Sequence, residues 1–328
     1  FSIANQDKQL LKKLLVVIVI NNSVNSNKSI IQNNKRTHKY CRDYKFSYDV
    51  SIIDAWSDKK AFNDKKEGGV GYARKIGSDL SLLYCDFNTI ICQTDADVIL
   101  DSDYLKEVYD QYTKKNIDAA VLGFKHRDDK IKKKQYEIVK NYERILYEHA
   151  YKLRKIGSRY DYIPMGSAIT CTMKSYISVG GVPSIKATED FYFLNKLAKY
   201  CRVKSIKKVL VYPSSRVSSR VYLGTGFRLD QAMQGFSIDS LKYSDYSYDI
   251  LDKFLRLIRN SHNQSLDSLK SKLLLINPMI LEYLLSQKLD LVWDKMQKVS
   301  NNNKTFFRHF ENWFDALRIM KFLKNFNI

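Results

Sequence analysis

The stretch Thr89–Leu100, "TIICQTDADVIL", decides how the rest of the chain is read. Its apolar, β-branched start and finish predict a buried strand, and two aspartates, Asp95 and Asp97, interrupt it. Carboxylates at i and i+2 on a strand end can face one side across a small residue, here Ala96. Hard oxygen ligands of that kind suit Mg²⁺ or Mn²⁺ shared with a substrate's phosphates. An EF-hand loop is excluded, because "VIL" stands where further ligands and a glycine are needed. Asp101 and Asp103, just beyond, flank a predicted helix start, where Asp101 or Ser102 is the expected N-cap.

Working outward, "LLVVIVINN" (Leu14–Asn22) reads as a buried parallel strand and "YDVSIIDAWS" (Tyr48–Ser57) as a second, ending in a loop at Asp54–Ser57. Helical patterns fall at Lys28–Cys41, at "GYARKIGSDLSLLY" and at "SDYLKEVYDQYTKK"; "DAAVLGF" is a fourth strand. This alternation predicts an open, mostly parallel α/β sheet, whose ligands sit beyond the carboxyl ends of its strands. Asn21, Asn22, Asp54, Ser57, Asp95 and Asp97 all fall at such ends. Residues 126–160 read as a charged helical excursion, and "CRVKSIKKVLVY" as a closing strand. Beyond about residue 230 the pattern is helical, as in Phe306, Phe310, Trp313, Leu317 and Met320, with "SNNNK" a link between helices.

The chain of 328 residues is 45% hydrophobic and 13% aromatic, ample for a packed core. Lysine and arginine outnumber acids 55 to 35, a net +20, which points to anionic partners or to a lysine-rich solvated surface. The five cysteines (41, 85, 92, 171, 201) contain no C-x-x-C pair, so a reducing, cytoplasmic setting is expected. The apolar run at Leu14–Ile20 is too short to span a bilayer. Because the chain starts at Phe1, a preceding segment is left open. The five histidines form no ligand-like cluster, and "GVGYARKIG" lacks the G-K-[ST] of a P-loop.

A second acidic pair, Glu189–Asp190, stands in "ATEDFYF". One reading has Thr188 capping a helix whose dipole the acids complement; the other makes a carboxylate a general base. In "KTFFRHFENWFDALRIMKFLKNF" an apolar stripe is ringed by cations, which fits core, oligomer contact, or an anionic membrane surface at the inner face.

Taken in order, these motifs resemble family 2 glycosyltransferases of the GT-A fold. The carriers are "VINN", "IIDAWS", "GVGYARKIGSDLS" with Lys75 in place of an Asn, "TDADV", and "GSAITCTMKSYISVGGVPSIKATEDFYFLNKLA", spread over about residues 14–220. The resemblance implies a GT-A type domain over 1–228, Rossmann-like with a mostly parallel sheet flanked by helices, followed by an α-helical region at 229–328. It implies an inverting hexosyltransferase-like enzyme that joins a UDP- or GDP-sugar to a carbohydrate or glycoconjugate hydroxyl, without nucleic acid. Asn21, Asp54 and Ser57 would meet the nucleoside, Arg74 the diphosphate, and Asp95 and Asp97 the donor and a divalent metal. Asp190 would be the base, with Glu189 beside it. Departures are the missing Q-x-x-R-W and the lack of a histidine in "VYPSSRVSSRVYLGTGF", where Arg216 and Arg220 could grip the diphosphate instead. A nucleotidyltransferase on a similar sheet, or a non-catalytic basic protein on nucleic acid or membrane, are the alternatives. Neither gives the Thr-Glu-Asp helix start a task.

Overall fold

The strand nearest the start, β1 (Leu15–Asn21), is a run of valines and isoleucines whose branched side chains favour the pleated conformation. The computed structural model describes residues 2–63, 69–128, 131–217 and 224–327. They divide into two compact units, one of residues 1–143 and 162–236, the other of 144–161 and 237–328.

In the first unit a short α1 (Lys8–Leu11) precedes β1, and α2 (Lys28–Asp43) connects it to β2 (Asp49–Ala55). The two strands pair in parallel from Leu15↔Asp49 to Asn21↔Ala55. Asn34 of α2 closes the strand end, donating to Asn21 O (3.1 Å) and Asn22 Oδ1 (2.7 Å). Then follow α3 (Gly69–Ser81), β3 (Ile90–Cys92), β4 (Ile99–Leu100), α4 (Tyr104–Lys115), β5 (Ala119–Phe124) and α5 (Lys133–Ile156), which ends in the second unit. A 3₁₀ turn at Gly166–Ala168 leads into β6 (Ile169–Thr172), α6 (Met173–Ser178), α7 (Glu189–Tyr200), β7 (Val203–Tyr212) and α8 (Thr225–Met233).

These strands make a five-stranded sheet in the order β3-β6-β5-β7-β4. Only β5 and β7 pair in parallel; the other three pairings are antiparallel. Strands β3, β5 and β7 therefore point one way, and β4 and β6 the other. The sheet is thus mixed, flanked by helices as an α/β fold requires. Every residue of β5 is buried, as its unbroken apolar run demands. Gly123 allows β5 to kink against β7, since a Cβ there would stand 2.5 Å from Lys208 O.

The stretch expected to be one strand is two. The chain turns at Asp95–Val98, where Val98 N donates to Asp95 O (3.1 Å), and β3 and β4 lie at opposite margins of the sheet. Residues 93–98 cross the end of the sheet where β3, β5 and β7 finish. The expected cap of α4 also differs: Asp103 occupies the N-cap without a side-chain bond, and buried Gln6 reaches over to accept from Leu105 N (2.9 Å). Asp101 instead accepts from Asp103 N (3.0 Å).

The second unit holds the end of α5 with α9 (Asp245–Arg259), α10 (Leu266–Ile276), α11 (Pro278–Ser286), α12 (Trp293–Lys298), α13 (Asn303–Trp313) and α14 (Ala316–Asn325). Its core is aromatic: Phe254 meets Phe310, Phe314 and Phe322 with centroids 5.3–5.8 Å apart. The apolar stripe of residues 304–326 is not one helix, because Asp315 restarts the chain as the N-cap of α14. Of the expected stripe, Phe306 and Phe310 are buried in this core, Trp313 and Leu317 are half-buried, and Met320 is exposed. Among the described residues no helix is long and apolar enough to cross a membrane.

Candidate active site

The first turn of α3 and the segment 183–189 touch backbone to backbone, which only glycine allows. A Cβ on Gly69 would lie 2.6 Å from Lys186 O, and one on Gly71 would lie 2.5 Å from Ile185 O and 2.9 Å from the Glu189 Cβ. One turn further along α3, Arg74 is carried beneath the start of α7. Its Nη1 donates to Glu189 Oε1, and its Nη2 donates to Asp95 Oδ1 at 2.6 Å. Gly166 completes the fit, since a Cβ there would fall 2.3 Å from Arg74 Nη1. Arg74, Asp95 and Glu189, singled out separately in the sequence, form one cluster.

Asp190 shares it. Its Oδ1 accepts from Phe191 N (2.7 Å), and Arg74 acts on it electrostatically. Burial pushes Glu189 up to about 7; Arg74 opposes this, and Asp190 and Asp95 add to it. Asp190 is also raised, chiefly by burial, with Arg74 again opposing. One guanidinium thus serves three carboxylates, and the cluster favours keeping a proton near neutrality. Thr188 is not the expected cap: its hydroxyl donates to Ala187 O, and its backbone is left-handed (φ 66°, ψ 15°), an unfavourable conformation for a β-branched residue. Burial raises the Tyr142 hydroxyl of α5, with Arg228 of α8 opposing and Asp190 adding to the shift.

Asp97, at the middle of the crossing segment, is clasped by two arginines. Arg127, just past β5, donates to Asp97 O (3.1 Å), and Arg216, just past β7, pairs with Asp97 Oδ2 (2.9 Å). The two exits run together, with Lys125 N donating to Val211 O and Arg127 N to Pro213 O, both at 3.0 Å. Buried Ser215 donates to Arg127 O and accepts from Gln135 of α5 through its own carbonyl (2.7 Å). Buried His126 is anchored to Glu143 of the same helix, Nδ1 to Oε1 2.6 Å. Arg220 lies outside the described residues.

At the paired ends of β1 and β2, Asn21 lies opposite Ala55, one step beyond Asp54. Asp54 Oδ1 accepts from Trp56 N (3.2 Å) and Ser57 N (3.0 Å), and its Oδ2 accepts from Ser57 Oγ (2.6 Å). Burial works to raise this carboxyl, but these bonds together with Lys60 hold it down at about 2. Arg74 Nε, Gln93 Nε2 and Trp56 Nε1 are buried donor atoms without a hydrogen-bond partner among the described residues. Buried donors of this kind call for a water or a ligand.

Arg127, Gly166 and Gln93 went unmarked in the sequence reading. Gly166, a glycine just ahead of a strand, carried a usable signal of close approach. Arg127 was one cation among many in "KHRDDK".

A divalent ion fits these residues only in part. Among the described residues no three histidine, cysteine or carboxylate groups are arranged so that they could hold a metal ion by themselves. Asp95 and Asp97 each give one oxygen to an arginine, so each retains one for a cation that takes its other ligands from substrate and water.

No protein-family model matches the chain, and no curated protein matches it in sequence. Among solved structures, S. aureus TarS 1–349 in complex with UDP-GlcNAc is 13% identical, with a TM-score of 0.44 over 99% of this chain and 85% of that one. Mannosyltransferase PcManGT from Pyrobaculum calidifontis, in complex with GDP-Man and Mn²⁺, is 13% identical, with a TM-score of 0.40 over 95% of this chain and 81% of that one. Likeness at this level assigns no residue and no substrate.

Proposed function

We propose that the chain is an inverting sugar transferase that uses a nucleotide-sugar donor. The observation that carries the reading is the convergence of Asp95 and Glu189 on Arg74, with Asp190 alongside, at the end of the sheet where β3, β5 and β7 finish. Asn21, Asp54 and Ser57 at the adjoining strand ends would hold the nucleoside. Arg127 and Arg216, with Arg220 further along the same segment, would face the diphosphate, as planar guanidinium forks suit phosphate oxygens. Mg²⁺ or Mn²⁺ bound by the second oxygens of Asp95 and Asp97 would neutralise charge on the departing nucleoside diphosphate.

In the reaction the acceptor oxygen attacks the anomeric carbon from the face opposite the diphosphate. The new C–O bond forms as the C–O bond to phosphate breaks, through an oxocarbenium-like transition state. Asp190 takes the acceptor's proton, and its pKa, raised chiefly by burial, makes the carboxylate a stronger base. Glu189 acts through Arg74, holding the guanidinium in place. The chemistry belongs to residues 1–228, and residues 229–328 form the helical region that follows.

The test is incubation with UDP-glucose, UDP-GlcNAc and GDP-mannose, with and without Mn²⁺. Donor binding and slow donor hydrolysis that depend on Asp97 are expected; absence of binding to every donor under both conditions overturns the reading. Asp190→Asn should keep donor affinity and lose transfer by about 10²–10⁴-fold.

A further inference from the structure

Past the ends of β5 and β7 the ladder continues, with Lys125 N and Arg127 N donating to Val211 O and Pro213 O, both at 3.0 Å. Donors at i and i+2 share one edge of an extended chain, so His126 N between them is turned to the other edge. On that edge β6 pairs with β5 from Ala119↔Cys171 to Val121↔Ile169 and stops short of His126. A buried N–H left there without an acceptor would be costly, and a side chain supplies one. Glu143 Oε1 of α5 accepts from His126 N (2.5 Å), and the same oxygen lies 2.6 Å from His126 Nδ1. The ring is 3% exposed and also meets Phe124 edge-on, with centroids 5.7 Å apart. Successive side chains of an extended segment point to opposite faces, so a ring fixed toward Glu143 sends Arg127 the other way. There Arg127 Nη2 donates to Asp97 O (3.1 Å). The same helix holds the β7 exit, where Gln135 donates to Ser215 O (2.7 Å), next to Arg216.

From these bonds we infer that Glu143, acting through His126, is a positioning residue for the nucleotide-sugar site: it fixes the Arg127 guanidinium against Asp97, where the donor's diphosphate would lie. This role rests on the sugar-transfer reading and adds to it a residue that touches neither donor nor acceptor. Guanidinium forks bind phosphate oxygens through fixed geometry, so a loosened Arg127 loses affinity without losing its charge. What the geometry asks of residue 143 is an acceptor oxygen in one place rather than a negative charge. A glutamine supplies that oxygen; an alanine does not.

Calorimetric titration of the whole protein with UDP and with GDP, in the presence of Mn²⁺, tests it, each variant being measured where circular dichroism shows it folded. Glu143→Ala should bind the nucleotide that the wild type binds about tenfold more weakly. Glu143→Gln should bind it nearly as the wild type does. Adding Glu143→Ala to Arg127→Ala should weaken binding no further than Arg127→Ala alone, because both act on one contact. A mere loss of packing would add to the Arg127 effect instead. His126→Ala, which keeps the backbone bond to Glu143 and loses the ring, is the milder second variant, and His126→Asn should restore what it loses. Undiminished binding by both alanine variants of Glu143 and His126 overturns the assignment, as does full additivity with Arg127→Ala, or a Glu143→Gln as weak as Glu143→Ala. Each of those results leaves the sugar-transfer reading standing, whereas a wild type that binds neither nucleotide overturns both.

Discussion

Arg74 and Glu189, 115 positions apart in the chain, meet as a buried ion pair, and the same guanidinium holds Asp95 at 2.6 Å. A pair so enclosed contributes less through attraction than through the penalty of breaking it. Arg74→Gln leaves Glu189 buried without a counter-ion, and a loss of about 3 kcal/mol in urea unfolding is expected. Arg74→Lys should recover only part of this, because an ammonium cannot fork to two carboxylates.

Gly166→Ala approaches the same cluster from the other side. The added methyl would sit 2.3 Å from Arg74 Nη1, against a guanidinium that two ion pairs prevent from moving aside. It should destabilise by about 1–3 kcal/mol and weaken donor binding in calorimetric titration. Ser167→Ala, one residue along, should leave donor binding unchanged.

Glu189 gives stability a pH slope on the acid side of neutrality. Its folded pKa, raised to about 7, lies above the unfolded value, so between the two the folded state binds more protons. This contribution to stability is fully present below the unfolded pKa and is lost as pH rises toward 7. Tm should therefore fall from about pH 5 to about pH 7.5, and Glu189→Gln should flatten that slope. Asp54, held down at about 2, works in the other direction but finishes titrating in strong acid, outside this window.

Thr188→Gly removes a β-carbon from a left-handed backbone (φ 66°) and forfeits no helix cap. A net gain of about 1 kcal/mol is expected from chemical denaturation, after allowing for glycine's looser unfolded state. Transfer should slow in the same variant, because Thr188 directly precedes Glu189 and Asp190.

Arg127→Ala and Arg216→Ala each remove one arm of the clasp on Asp97. Each should weaken nucleotide-sugar binding by about tenfold or more in calorimetric titration, with Tm little changed for the more exposed Arg216.

How much of this could be read from the residues depended on the range of the forces involved. Strands β1 and β5 were visible as unbroken apolar runs of six or seven residues, but the burial expected of both is met only by β5, since in β1 only Ile20 is buried and the rest are half-buried. The break at Asp95–Val98 was hidden because "VIL" continues the same signal after the turn, although it pairs with β7 rather than with the partner of β3. The candidate acids were found by their position at strand and helix ends. Their common partner was not, because nothing local to Arg74 marks Asp95 or Glu189 as its neighbours. The capping of α4 by Gln6, 99 positions from Leu105, was out of reach for the same reason. In the C-terminal region the stripe of Phe306 and Phe310 was rightly apolar, but the restart at Asp315 turned the later face toward Ile319 and Phe322.

The separation of Arg74 from Glu189 also bears on the order of assembly. Strands β1 and β2 with α2 and α3 are all within the first 81 residues and can associate early through short loops. Seating α3 fully would carry the Arg74 guanidinium out of water before residues 183–189 have arrived to receive it, and an uncompensated buried charge is strongly unfavourable. The last turns of α3 can dock while its first turn stays solvated, and closure waits until α7 has formed. On a ribosome that moment comes more than a hundred residues after Arg74 is made, so the cluster that would do the chemistry is among the final parts of the sheet to become rigid.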